Sequence, residues 1–143
     1  MDNQNAKKLW QKKGSSLNPA VTDYIISQNL EADNKLLPYD IKGSKAHAKM
    51  LGKVGLLEQS DVNAIVGVLD DILKQHENGT FVLRQENEDM HTEIENALVT
   101  ALGPVGKRVH VGRSRNDQVL TAMRLYTKDA SPLKPDHCVT VRR

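Results

Sequence analysis

Residues 112–119 read Gly-Arg-Ser-Arg-Asn-Asp-Gln-Val, which packs two guanidinium groups, a hydroxyl and two carboxamides into a few positions. Arginine presents a planar fork of donors that matches a carboxylate in a bidentate way. Asn116 and Gln118 each add a donor and an acceptor. Such a set suits a substrate that carries several carboxylates. A polar helix cap with two solvated arginines is the plainer alternative, and composition alone weighs the two about evenly. A second stretch, Glu88-Asp89-Met90-His91-Thr92-Glu93-Ile94-Glu95, places a histidine in the first turn of an expected helix. A helix start has free N–H groups and partial positive charge, and a histidine there can donate, accept or carry a proton near neutral pH. On the residues alone, a solvated histidine on an acidic helix start is the simpler reading of His91.

The other histidines carry weaker signals. His47 sits in an alanine-rich helix as half-buried structure, and His76 lies near a helix end that favours a cation. His110 is flanked by two valines and reads as packed, and His137 lies in the tail. None has partners at zinc-ligand spacing. No phosphate-binding loop, strand-linked dinucleotide fingerprint or nucleophile–base motif occurs.

The elements that must position these residues read as helices. Residues 1–19 form a polar arm. A helix is expected over 20–36, broken by Pro38. Another spans 40–54, with Asp40 at its start and the apolar stripe Ile41, Ala46, Ala48, Leu51 and Val54. The strongest periodicity runs from Asp61 to Gln75, where Val62, Ile65, Val66, Leu69, Ile72 and Leu73 share a face. Ser60 is its expected cap and Asn78-Gly79 its stop. Phe81 to Leu83 is a short apolar run, taken as extended. A helix over 89–102 ends at Gly103-Pro104, and 106–112 is a connector. A last helix starts near Ser114 or Asn116, where Ser114 and Asp117 have capping-box spacing. Its stripe, Val119, Met123 and Tyr126, is expected to stay exposed. The fold class is all-α.

Composition narrows the function classes. Aromatics make up only 3% of the chain, which disfavours a stacking platform for single-stranded nucleic acid. The net charge of +2 creates no general pull on polyanions or anionic membranes. Charge is nevertheless segregated: 86–95 is acidic, and 107–115 holds Lys107, Arg108, Arg113 and Arg115 without an acid. These are either two solvated faces or an anion-binding wall beside an acidic partner segment, and charge runs alone favour the first. The single cysteine, Cys138, permits no internal disulfide, and no apolar run has signal-peptide or membrane-spanning length. A cytoplasmic setting is expected.

The segment Gly112 to Val119 closely resembles the signature of the argininosuccinate lyases, members of the fumarase/aspartase superfamily. Asp40-Ile41-Lys42-Gly43-Ser44-Lys45-Ala46-His47-Ala48-Lys49-Met50-Leu51 is similar to that family's D-I-x-G-S-x-A-H-A-x-M-L helix. Gly55-Leu56-Leu57, Glu88-Asp89-Met90-His91, Gly103 to Lys107 and Lys8-Leu9-Trp10 resemble further family segments, in the same order. The resemblance runs from about Lys7 to Asp129. It implies an N-terminal helical domain over 1–111 and the start of a central helical bundle over 112–130, followed by a divergent tail over 131–143.

The resemblance also implies a homotetramer whose active sites draw on three subunits. The implied reaction is elimination of argininosuccinate to L-arginine and fumarate, the last step of arginine biosynthesis, without metal or organic cofactor. Arg115 and Asn116 would bind substrate carboxylates. Asp89 and His91 would line the same site, with His91 in an electrostatic and positioning role. Arg113, Ser114 and Gln118 match the motif, and Asp33 falls near the substrate's amino-acid end. Where many family members have serine four residues before that aspartate, this chain has Asn29. The family's acid–base groups, a histidine after a threonine and a serine on a Gly/Ser-rich loop with a Met-Pro-Lys-Asn run, have no counterpart in the sequence. The chain is therefore expected to be the N-terminal piece of such an enzyme, inactive alone. The alternatives are a non-catalytic helical fragment that associates with full-length lyase subunits, and another superfamily lyase of the adenylosuccinate type. A nucleic-acid binder built on Lys107 to Arg115 is the remotest.

Overall fold

The computed structural model describes residues 30–84 and 89–131. The expected arm over 1–19, the part of the expected 20–36 helix before Leu30, with Asn29, residues 85–88 and the expected tail from 132 onward lie outside the described residues. The chain forms helices α1 (Leu30–Lys53), α2 (Gln59–Glu77), α3 (Met90–Leu102), α4 (Pro104–Lys107) and α5 (Arg115–Ala130), with a 3-10 turn at Arg108–His110. The all-α reading holds.

Helix α1 is the spine. Leu37, Ile41, Ser44, Ala48 and Leu51 recur every three or four residues, so one buried stripe runs its length. That stripe crosses Pro38, where a helix break was expected. An internal proline costs about 3 kcal/mol through its missing N–H and ring clash. Burying Leu37 and Ile41 completely, one on each side of Pro38, outweighs that penalty at roughly 1.5–3 kcal/mol per side chain. Asp40 is consequently no cap; it sits mid-helix and buried. Of the expected 40–54 stripe, Ile41, Ala48 and Leu51 face the core, whereas Ala46 and Val54 face out.

Helix α2 packs against α1 and α3. Val62, Ile65, Leu69 and Ile72 are buried, and Val66 and Leu73 pack partly against them. It begins two residues earlier than expected, so Ser60 lies in its first turn and Glu58 holds the extended cap position without a side-chain bond. It ends at Asn78, and Gly79 turns the chain with φ of 71°. Phe81 to Leu83 is irregular, with Leu83 buried.

Helix α3 buries Met90, His91, Glu93, Ile94 and Leu98. The segment expected as a plain connector instead coils into α4 and the 3-10 turn. Gly106 makes this possible: a Cβ there would stand 2.5 Å from the Leu98 carbonyl, so only glycine lets α4 lie against the end of α3. Helix α5 packs lengthwise on α1. A Cβ on Gly43 would come within 3.1 Å of Thr121, so that crossing is close too. The inward face of α5 is Gln118 and Ala122. Met123 of the expected exposed stripe is 49% accessible, whereas Val119 is half-buried. Tyr126 meets Tyr39 edge to face at 5.6 Å. Among the described residues, no helix is long and apolar enough to cross a membrane.

Candidate active site

The starts of α3 and α5 meet beside α1. Each is built by local sequence. Asp89 is extended and caps α3: its Oδ1 accepts from the Thr92 backbone N–H at 2.8 Å and from the Thr92 hydroxyl at 2.9 Å. Ser114 caps α5, with Asp117 closing the capping box. The backbone N–H of Ser114 donates to Asp117 Oδ2 at 2.8 Å, and this bond draws the Asp117 carboxyl below its ordinary range.

Three polar residues of α1 hold these two starts in place. Asp33 Oδ2 accepts from the Met90 backbone N–H at 3.1 Å. Asp40 Oδ1 lies 3.2 Å from His91 Nδ1. Ser44 Oγ accepts from Arg113 Nη2 at 3.0 Å. The spacings of seven and four residues put all three on one edge of the helix. Burial raises the Asp33 carboxyl above its usual value, the Met90 N–H opposes this, Asp89 pushes it up further and His91 lowers it. Burial likewise weakens the hold of Arg113 on its proton, and the Asp40 carboxylate works the other way.

Arg115 joins the two helix starts. Its Nη2 donates to Thr92 Oγ1 at 3.1 Å, and its Nε lies 3.5 Å from Asp89 Oδ2. Its Nη1 is buried without a hydrogen-bond partner. The same holds for Arg113 Nε, Asp40 Oδ2, His91 Nδ1 and Gln118 Oε1. A buried orphan polar atom costs about 1–3 kcal/mol, and natural folds keep few of them. Among the described residues, each of these atoms belongs to the Asp40–His91 pair, to one of the two arginines, or to Gln118 on the first turns of α5. Such a concentration marks a site whose polar groups are arranged for something other than stability.

The expected site residues therefore divide. Asp33, Asp89, His91 and Arg115 converge at the start of α3. Arg113 lies beside them on Ser44, and Gln118 is buried on the inward face of α5. Ser114 is exposed and serves as a cap, and Asn116 is exposed on the first turn of α5. His91 is 3% accessible, against the surface position favoured by its acidic neighbours. The signal that could have placed it lies far away in sequence, at Asp40. Thr92 and Ser44 had no assigned role, yet they hold the two arginines. Thr92 was findable, since Asp89-x-x-Thr92 has cap spacing.

His47 and His110 make structural contacts, and His137 lies outside the described residues. His47 Nε2 lies 2.9 Å from the Val111 carbonyl oxygen and secures the loop before Arg113. His110 Nε2 lies 3.1 Å from Glu95 Oε2 and draws that carboxyl below its usual range. With Arg115–Asp89 at 3.5 Å, this contact ties residues of 107–115 to acids of 89–95, so the two segments are not separate solvated faces.

Comparison with known proteins fits this geometry. The model of the lyase family matches residues 11–136. A Thermotoga neapolitana protein named argininosuccinate lyase is 44% identical over 124 residues, covering 87% of this chain and 31% of that protein. A Sulfurihydrogenibium protein of the same name is 46% identical over 123 residues, covering 86% and 27%. One from Streptococcus suis is 40% identical over 126 residues, covering 87% and 26%. The chain thus spans between a quarter and a third of the length of these curated relatives.

Proposed function

We propose, from the premise that this chain belongs to the lyase family, that its site serves the elimination of argininosuccinate to L-arginine and fumarate. The observation that carries the reading is Arg115: a guanidinium braced by Asp89 and Thr92, with Nη1 unpartnered, where two helix N-termini converge.

Elimination removes a proton from the carbon next to a carboxylate and shifts negative charge onto that carboxylate. The electron pair then forms the carbon–carbon double bond of fumarate. The carbon–nitrogen bond breaks, and the departing guanidino nitrogen keeps its electron pair and takes a proton. Fixed donors aimed at the carboxylate lower the barrier most when they bind the charge more tightly as it grows. Arg115 and the exposed Asn116 are suited to that task, aided by the positive ends of α3 and α5. Asp33 and Asp89 supply anionic character for the cationic parts of the substrate. His91 has an electrostatic and positioning part. Arg113 and Gln118 shape the polar floor, and Ser114 sets the direction of α5.

No residue here is assigned as the acid or base that moves the proton, and the reading invokes no metal or organic cofactor. The 143 residues are accordingly expected not to turn over substrate alone. The same reading places α5 at the start of a central bundle over 112–130 after a helical domain over 1–111. It takes the functional unit as a cytoplasmic homotetramer in arginine biosynthesis.

The test is a chimera in which the 124 matched residues replace their counterpart in the Thermotoga neapolitana relative. Release of fumarate and arginine from argininosuccinate supports the reading. A chimera that assembles like its parent and binds no argininosuccinate refutes it.

A further inference from the structure

Asp40 is 2% accessible, in the middle of α1 and remote from any helix end. A buried carboxylate is costly unless something compensates it. Its Oδ1 faces His91 Nδ1 at 3.2 Å, and its Oδ2 has no hydrogen-bond partner. The Arg113 guanidinium attracts it across the same interior, held there by Ser44. From α3, the His91 ring is the group that meets it, and that ring also acts electrostatically on Asp33.

We propose that Asp40 is a positioning residue that keeps a proton on Nδ1 of His91. This rests on the reading above that places His91 at the substrate site. An ionised carboxylate only accepts hydrogen bonds, and a neutral imidazole has one N–H to give. With the proton on Nδ1, the pair attracts. With it on Nε2, the Nδ1 lone pair would face the carboxylate, a repulsion that low dielectric magnifies. Nδ1 and Oδ1 lie 3.2 Å apart, within reach of a hydrogen bond, although the contact is not an aligned one. The consequence is chemical: a neutral His91 then presents Nε2 to its surroundings as an acceptor, and the orientation of the ring is set from α1.

The test is nitrogen-15 NMR on the full 143-residue chain labelled at histidine, with His91→Gln identifying the signals. The expected result, read at alkaline pH on the neutral ring, is the Nδ1–H tautomer of His91. Asp40→Leu removes the acceptor without supplying a donor, so the neutral ring loses its Nδ1–H preference and moves towards the Nε2–H tautomer while the other histidines keep their signals. A neutral His91 with its proton on Nε2 in the unsubstituted chain overturns the proposal. So does an unchanged tautomer in an Asp40→Leu chain that melts cooperatively. None of these measurements needs substrate, so the result is independent of the lyase reading.

Discussion

Arg115 Nε lies 3.5 Å from Asp89 Oδ2, so a residue on the first turn of α5 is paired with the cap of α3. The pairing brings two helix N-termini to one place. Each start carries partial positive charge, and Asp89 offsets part of it while tethering Arg115. The remaining field, with the unpartnered Nη1 of Arg115, is what a carboxylate would meet.

Among the described glycines, Gly106 makes the tightest approach to another stretch of backbone. Gly106→Ala drives a methyl into the Leu98 carbonyl, and a loss of about 1–3 kcal/mol is expected for such overpacking. Gly67, on the outer side of α2, has nothing within 4 Å of a built Cβ. Gly67→Ala should therefore stabilise by about 0.5–1 kcal/mol through helix propensity. Urea unfolding of both variants checks the pair, and a similar loss at both sites would contradict the packing of α4 on α3.

Ser114 acts as a cap. Ser114→Ala should cost about 1 kcal/mol of stability and fray α5. In the capping box the Ser114 hydroxyl accepts at 3.4 Å, whereas Asp117 accepts at 2.8 Å. Asp117→Ala should thus be the more damaging change at neutral pH. Its lowered carboxyl pKa contributes stability above the unfolded value, and that part is lost as pH falls through the folded value. Thermal melts of both variants across the acid range test the order.

Asp33 should show a function-against-stability conflict. Burial raises its carboxyl above the ordinary value of 3.8, so the folded state holds that proton more tightly than the unfolded chain. The resulting stability is present below the unfolded value and disappears as pH rises through the folded one. Asp33→Asn keeps an acceptor for the Met90 N–H and removes the buried charge. It should be at least as stable as the unsubstituted chain at pH about 7, with its advantage fading towards pH about 4. In the chimera it should raise KM. Denaturant titrations at the two pH values decide the first point, and a large loss of stability at neutral pH would count against it.

Local signals were readable in advance because they are local. The α2 stripe, the Asn78-Gly79 stop and the Ser114–Asp117 box each depend on neighbours within a few turns. The run of α1 through Pro38 was not readable, because burial of Leu37 and Ile41 by other helices decides it. The site divides in the same way. The arginines and Asp89 stand out by residue type, but the burial of His91 depends on Asp40, in another helix. Ser44 is invisible for the same reason, since its partner Arg113 comes from the far end of the described chain.

The most direct test is steady-state cleavage of argininosuccinate by the chimera carrying Arg115, Arg115→Lys or Arg115→Ala. Lysine keeps the charge but not the fork that spans Asp89, Thr92 and a substrate carboxylate. Both substitutions should lower kcat/KM by roughly 100-fold or more, about 2.7 kcal/mol of transition-state stabilisation, with assembly and melting temperature nearly unchanged. If the lysine or alanine chimera cleaves argininosuccinate within a few-fold of the arginine chimera, Arg115 does not hold the reacting carboxylate, and the assignment of this site fails.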